Sequence, residues 1–266
     1  MKRFIPFMTP DPSVAVIRLT GAIASGARAG VLNDMAMAPA IERAFAKGKP
    51  KAVALVINSP GGSPAQSSLI AARIRRLATE KDLPVYAFVE DVAASGGYWL
   101  ACAADQIWLD DSSIAGSIGV ISASFGLQDF IARHGIERRV HTAGKDKSML
   151  DPFRPERDED IARLKGLQSQ IHDSFIAHVK ARRGDRLSLD ADIFTGEFWV
   201  GQSAVDLGLA DGIAHLVPKM KEIYGEKTRF AVYGPKRGLF QRFGASLTDA
   251  ALGQVEDRAI WARYGL

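Results

Sequence analysis

The stretch AVALVINSPGG, residues 52–62, decides the fold. Its first six residues form an apolar run rich in valine, which is typical of a strand buried on both faces. The segment NSPGG, residues 58–62, ends that run with polar residues, a proline and two glycines. Residues 65–77 then carry apolar side chains at helical spacing, with arginines on the other side. The stretch therefore opens a unit of strand, turn and helix.

The same order repeats at once along the chain. VYAFVE, residues 85–90, predicts a second strand, the pair Gly96-Gly97 precedes a helix predicted over 98–104, and QIWLD, residues 106–110, predicts a third strand. Repeated βαβ units predict an α/β fold with a mostly parallel sheet flanked by helices. Because both glycine pairs follow a strand and precede a helix, we expect them to lie side by side at the carboxyl ends of neighbouring strands.

The rest of the chain supplies further elements of the same domain. Residues 13–20 predict a strand, 215–224 a short helix and 229–234 a last strand. One long helix is predicted over 156–183, ended by Gly184. Its apolar residues recur at steps of three and four: Ile161, Leu164, Leu167, Ile171, Phe175 and Val179.

We predict three segments: a lead segment 1–12, a main domain 13–235 and a C-terminal tail 236–266 that is helical. The chain has 266 residues, 47% of them hydrophobic, which is enough for a sizeable core. The tail offers apolar residues at helical spacing, and Trp261 with nearby arginines also suits a peripheral membrane contact.

Charge and cysteine content indicate which partners and which cell compartment to expect for this protein. The net charge is +4, and the basic residues are scattered as short pairs such as Arg182-Arg183. We interpret these pairs as parts of solvated faces, and we therefore expect no nucleic-acid partner. The single cysteine, Cys102, fits a reducing compartment. The N-terminal apolar run MKRFIPFMTPDP is too short for a signal peptide or a membrane helix. These features predict a soluble, cytoplasmic protein.

Ser95 is the first candidate for chemistry. It lies in AASGGYWL, residues 93–100, where small residues on both sides leave its hydroxyl uncovered at the start of a helix. Free amides and the helix dipole at such a terminus stabilise negative charge. A carbonyl attacked by Ser95 would receive hydrogen bonds from around Gly62 and from Gly96.

A serine nucleophile needs a base. The histidines give no clear choice: His134, His141, His172, His178 and His215. A lysine can serve if burial lowers its pKa by about 3 units from about 10.4. The loop HTAGKDKSMLDPF, residues 141–153, offers Lys145 and Lys147. The residues alone leave both lysines, and a histidine, open.

Five motifs resemble, in this order, the signal peptide peptidase A family of serine proteases. The similarity runs from about residue 13 to 230, in a single copy of the fold. The resemblance implies the crotonase-like fold shared with the Clp protease, a serine–lysine dyad and ring-like homo-oligomers. The motifs are NSPGG at 58–62, ASGGYWLACAADQI at 94–107, GSIGVI at 116–121, AGKDKSMLDPF at 143–153 and FTGEFWVGQSAVDLGLADGI at 194–213.

The resemblance also assigns the dyad. Ser95 of SGGY matches the family nucleophile. The family base precedes a Ser/Asp-Pro pair by four residues, and the register before Asp151-Pro152 selects Lys147. Ser117 of GSIG matches the hydroxyl that holds the lysine amine.

The sequence therefore predicts a serine endopeptidase that cleaves peptides, signal peptides or unfolded segments through an acyl-enzyme. The backbone amides of Gly62 and Gly96 hold the oxyanion, and no metal or other cofactor is implied. Two alternatives remain. A crotonase-type acyl-CoA hydratase or hydrolase would use the same oxyanion hole with a carboxylate and no exposed serine. A non-catalytic assembly protein would be marked by loss of Ser95 or Lys147, and both are present.

Overall fold

A computed structural model describes residues 11–26, 31–144, 147–189, 191–234 and 261–266. These residues form two compact units, one comprising residues up to 118 and from 176 onward, the other comprising 119–175. Their strands and helices, in chain order, are β1 Ser13–Thr20, α1 Asp34–Ala46, β2 Ala52–Ser59, α2 Pro64–Lys81, β3 Val85–Ala94, α3 Gly96–Ala101, β4 Gln106–Leu109, β5 Ile114–Gly116, α4 Gln128–Arg133, α5 Asp158–Arg183, β6 Phe198–Val200, α6 Gln202–Asp206, β7 Gly212–Ile213, α7 Leu216–Tyr224 and β8 Arg229–Tyr233.

The first unit is built on one sheet with the strand order β6-β5-β3-β2-β1-β8. All pairs are parallel except β5 with β6. The long strand β3 pairs with β4 through residues 86–88 and with β5 through residues 92–94. The end of β3 is therefore bordered by β2 on one side and by β5 on the other.

Strand β2 lies at the centre of the core, as its apolar run predicts. Leu55 and Ile57 are fully buried, and so are Ala52 and Ala54 on the opposite face. Because successive side chains point to opposite faces, a strand in this position must be apolar throughout. Helix α2 contacts both α1 and α3, while α1 contacts β1 and α3 contacts β2 and β3. Met220 of α7 packs against the face that carries Ala52 and Ala54.

The predicted α/β fold with a mostly parallel sheet is confirmed. The strands predicted from 13, 52, 85 and 106 are present as β1 to β4, and the long helix is present as α5. Helix α3 begins two residues earlier than predicted and ends at Ala101. The sequence reading missed α1, whose Asn33 side chain caps the helix by accepting a hydrogen bond from the amide of Ala36.

The interpretation of Arg182-Arg183 as a solvated face is wrong. Arg183 is 2% exposed and its guanidinium donates to Asp211 at 2.7 Å and to the carbonyl of Gly208 at 2.8 Å. Arg182 pairs with Asp105 at 3.0 Å. These bonds fix the C-terminal end of α5 within the first unit, because a buried guanidinium needs carboxylate and carbonyl partners.

The second unit contains α4 and the first part of α5. Arg138 pairs with Asp151 at 3.3 Å, and Arg157 pairs with Asp160 at 2.6 Å. A cavity of about 520 Å³ is lined by Ile131, Ile136, Glu137, Arg138, Arg139 and Phe153. Among the residues described, no helix is both long and apolar enough to cross a membrane. The segment boundaries 1–12, 13–235 and 236–266 stay a prediction. Residues 1–10 of the lead segment and 236–260 of the tail lie outside the described residues.

Candidate active site

Ser95 occupies the single residue between β3 and α3. Its backbone has φ 51° and ψ −121°, a left-handed φ that side chains rarely adopt. The amide of Ser95 donates to the carbonyl of Gly116 at 2.8 Å, and its carbonyl accepts from the amide of Trp99 at 3.0 Å. The side chain makes no capping bond to α3. A non-glycine residue held in this conformation costs of order 1–3 kcal/mol, and such strain concentrates at functional sites.

The predicted neighbourhood of the two glycine pairs is confirmed. A Cβ atom on Gly61 would lie 2.8 Å from the amide nitrogen of Gly96 and 2.8 Å from the Cβ of Ser95. Gly62 has φ 139°, and a Cβ there would lie 2.0 Å from the carbonyl oxygen of Ile23. Both positions therefore require glycine, for backbone conformation and for space.

The amides of Gly62 and Gly96 lie close together and are free to donate. A Cβ on Gly96 would come within 3.3 Å of the Gly62 nitrogen. Within the described ranges, neither amide donates a hydrogen bond to another protein group. The first amides of a helix have no intrahelical acceptor, which explains why the amide of Gly96, the first residue of α3, is unpaired. Two unpaired donors beside Ser95 are what an oxyanion-binding site needs.

Ser117 lies next to Ser95 because their strands are paired. Ala94 of β3 is in register with Gly116 of β5, and the two serines are the residues that follow. Ser117 has φ 54° and is 7% exposed, and its amide donates to the carbonyl of Glu197 at 2.6 Å. Neighbouring strands are about 4.8 Å apart, so the register places the two serines, both with positive φ, side by side at the carboxyl ends of β3 and β5.

Tyr264 is a contact of this site that the sequence reading missed. Its hydroxyl donates to Oγ of Ser117 at 3.4 Å, and its ring packs against Val92 and Ala94 of β3. The spacing of Trp261 and Tyr264 was the available signal, since a helical turn places both on one face. Nothing in the sequence indicated that this face meets the end of β3.

Lys147 lies in the second unit, where its side chain is exposed and its amide donates to the carbonyl of Gly144 at 3.3 Å. The loop is fixed at Asp151, whose pKa is held below its usual range by the hydrogen bond from the amide of Phe153 and by Arg138. Lys145 lies outside the described residues. The choice of Lys147 as base stays a prediction.

The two histidines of the first unit have structural partners. The ring of His178 stacks on Trp99 with centroids 4.8 Å apart, and its Nε2 lies 3.2 Å from the carbonyl of Trp99. Burial lowers the pKa of His178. His215 pairs with Asp110 at 2.8 Å. Both imidazoles are therefore engaged by other protein groups.

The chain is similar to several known proteases. Peptidase family S49 matches residues 78–223. A putative protease, slr0021, of Synechocystis is 31% identical over 207 residues, which are 77% of this chain and 72% of that protein. The probable protease SohB of Haemophilus influenzae is 31% identical over 76% of this chain and 57% of its own length.

Two further comparisons bear on length and fold. A Brucella melitensis protein named as the Na⁺/H⁺ antiporter NhaA is 46% identical over the whole chain, but the chain spans only 39% of that protein. A solved membrane-bound stomatin-specific protease with a substrate peptide has a TM-score of 0.50 and 14% identity, and covers 94% of this chain and all of its own. This likeness supports the fold alone.

The predicted resemblance is thus confirmed at the level of the family. The matched range contains the β3–α3 turn with Ser95, Ser117 after β5 and the loop with Lys147. The chain belongs to peptidase family S49.

Proposed function

We propose that this chain is a serine endopeptidase in which Ser95 attacks the peptide carbonyl. The observation that carries the proposal is the β3–α3 turn. There a strained Ser95, whose hydroxyl makes no capping bond, lies beside the unpaired amides of Gly62 and Gly96. A nucleophile next to two preorganised donors is suited to acyl transfer.

The proposed reaction has two steps. Ser95 Oγ forms a bond to the carbonyl carbon while Lys147 Nζ takes its proton, and the negative oxygen accepts hydrogen bonds from Gly62 and Gly96. The C–N bond then breaks, and the proton passes from Lys147 to the leaving amine. Water attacks the acyl-enzyme in the same way and releases Ser95.

Ser117 is proposed as the positioning residue for the lysine amine. Its place beside Ser95 supports this, because the register of β3 with β5 puts the two residues after paired positions. A hydroxyl is suited to this purpose, since it accepts a hydrogen bond from an amine without adding a charge that would hold the proton on it.

The exposure of Lys147 supports the proposal of a homo-oligomer. A lysine becomes a base only when it is shielded from water, so substrate or another copy of the chain must provide the cover. Several large apolar side chains between residues 119 and 175 are also exposed, among them Phe125, Phe130 and Ile136. We expect light scattering to give a multiple of the 28.7 kDa chain mass, and a monomer at working concentration would contradict this.

The proposed substrates are peptides or unfolded segments, including released signal peptides. Their cleavage sites are best found by incubating the chain with a peptide library and identifying the products by mass spectrometry. Ser95→Ala is the control, because every product that depends on this site disappears from its digest. Cleavage that persists in Ser95→Ala would overturn the assignment of the nucleophile.

Labelling by a serine-directed phosphonate distinguishes peptidase from acyl-CoA chemistry. The peptidase mechanism predicts a covalent adduct on Ser95 of the wild type and none on Ser95→Ala. Thioester turnover without an adduct would favour the crotonase-type alternative. Neither turnover nor adduct would favour an assembly protein.

The cytoplasmic location and an at most peripheral membrane contact also remain proposals. The location is supported by the single cysteine, Cys102, which is free, as is usual in a reducing compartment. Fractionation of cells that express the natural gene would test them.

A further inference from the structure

The last six residues form a small turn that buries one side chain. Trp261–Leu266 is closed by backbone hydrogen bonds from Tyr264 and Leu266 to the carbonyl of Trp261, and from Gly265 to that of Ala262. Tyr264 is 8% exposed, whereas Leu266 at the end of the chain is 52% exposed. The turn therefore buries the ring of Tyr264 against the body of the first unit, while the partly buried Trp261 packs against the same cluster.

The ring occupies an apolar pocket formed by two paired strands. Val92 and Ala94 of β3 form its floor, and Ile114 of β5 packs against the same cluster. Phe198 of β6 meets the ring edge to face, with centroids 5.2 Å apart. Aromatic pairs prefer this arrangement at this distance, so the pocket has the shape and chemistry of an aromatic-ring site.

The pocket adjoins the residues assigned to catalysis. Its floor residue Ala94 directly precedes Ser95, and the hydroxyl of Tyr264 lies 3.4 Å from Oγ of Ser117. A bond of that length is weak, so ring burial rather than the hydroxyl holds Tyr264 in place. An extended substrate that reached Ser95 along the end of β3 would meet the same apolar floor.

We propose that this pocket is a substrate subsite for an aromatic side chain and that Tyr264 is its resident ligand, so that the C-terminal turn competes with substrate. The proposal rests on the proposed peptidase function, since that function makes Ser95 and Ser117 the reacting site. Substrate enters when the turn leaves, so the apparent affinity for substrate is the intrinsic affinity multiplied by the fraction of molecules in which the pocket is free.

The direct test measures binding rather than turnover. In the Ser95→Ala background, a fluorescent peptide of sequence WARYGL, matching residues 261–266, is titrated into the chain with Tyr264 and into the chain with Tyr264→Ala. We expect about tenfold tighter binding to Tyr264→Ala, as for a pocket that its own ligand fills about nine-tenths of the time. The peptide WARAGL should not bind either chain. Equal binding of WARYGL to both chains, or binding of WARAGL as well, would overturn the proposal.

Activity measurements give a second test with matched variants. Tyr264→Ala should lower KM about tenfold for a peptide with an aromatic residue and leave kcat unchanged. Leu266→Ala, an exposed change in the same turn, should have no effect, and Tyr264→Phe should behave as wild type because the ring remains. Loss of kcat in both Tyr264→Ala and Tyr264→Phe would show that the hydroxyl positions Ser117 and would refute competition.

The two tests separate this proposal from the proposed function. If no variant cleaves peptides but WARYGL binds only when Tyr264 is removed, the peptidase function fails and the aromatic subsite stands. If peptides are cleaved but WARYGL never binds, the subsite fails and the peptidase function stands. Thermal unfolding of Tyr264→Ala and Tyr264→Phe shows that each variant is folded before binding is measured.

Discussion

The β3–α3 turn of the first unit and the Lys147 loop of the second are built by opposite means. The turn is fixed by backbone: paired strands, hydrogen bonds to Gly116 and Trp99, and glycines where no Cβ fits. In the loop, Lys147 is exposed, and the contacts that hold the loop lie three or more residues further along, at Leu150, Asp151 and Pro152. A strained nucleophile needs a rigid frame. A general base can instead be shielded from water after folding, when substrate or another copy of the chain covers it.

The largest effect is expected from Ser95→Ala. It removes the attacking oxygen and keeps the surrounding backbone, so activity on a cleavable peptide should fall by on the order of 10⁴–10⁶-fold. The Tm should stay close to that of the wild type, because the side chain makes no capping bond to lose. Activity within tenfold of wild type would show that the rigid turn does not carry the nucleophile.

The second effect separates the two lysines of the loop. Lys147→Ala should abolish turnover, and Lys145→Ala should reduce it less than tenfold, which is under about 1.4 kcal/mol in the transition state. If Lys145→Ala is inactive and Lys147→Ala is active, the base is Lys145 and not Lys147. Two active variants would favour a histidine.

The third effect tests the rigidity of the turn through Gly61. In Gly61→Ala the new methyl group would lie 2.7 Å from the carbonyl oxygen of Ala94, at a φ of 98°. We expect a loss of unfolding free energy of about 2 kcal/mol or more, together with most of the activity. Urea unfolding and peptide cleavage measure the two effects.

Gly48→Ala is the matched control for this variant. Gly48 has φ 83°, but a Cβ there would meet nothing within 4 Å. In Gly48→Ala only the positive φ disfavours alanine, so the free energy of unfolding should fall by about 1 kcal/mol and the activity should be unchanged. Equal losses in the two variants would mean that φ alone, and not the contact with the Ser95 turn, explains the need for glycine at 61.

Much of the first unit follows from sequence because its signals are local. The apolar run of β2 predicts its burial, and the glycine pairs predict the adjacency of Gly62 and Gly96, which the structure confirms. Parallel strands place successive turns at one edge of the sheet, so no knowledge of distant contacts is required. The family resemblance added the roles of Ser117 and Lys147, which spacing could not supply.

What the sequence missed depends on contacts between distant residues. Arg183 follows another arginine near the end of α5, and only the fold brings Asp211 and Gly208 to its guanidinium. Tyr264 lies 147 positions from Ser117, and no periodic pattern links the two. The short strands β5 and β6 have three residues each, too few for alternation to be read.

The smallest effect tests the charged contact that Asp151 makes in the lysine loop. Asp151→Asn keeps the size of the side chain but removes the charge that faces Arg138 and weakens the bond from the amide of Phe153. The pKa of Asp151 is lowered in the fold, so its contribution to stability is present above the unfolded pKa of about 3.9 and is lost as the pH falls through the lower folded value. We therefore expect a small decrease in Tm at pH 7 that shrinks as the pH falls below about 3.9 and disappears below the folded value of the pKa.

The activity of Asp151→Asn should stay within tenfold of the wild type. In the proposed mechanism the exposed Lys147 is shielded by substrate or by another copy of the chain, and not by the bonds of Asp151. A decrease in Tm that is the same at pH 7 and pH 2 would show that shape rather than charge matters here. A loss of activity as large as that of Lys147→Ala would show that the loop is as rigidly required as the turn that holds Ser95.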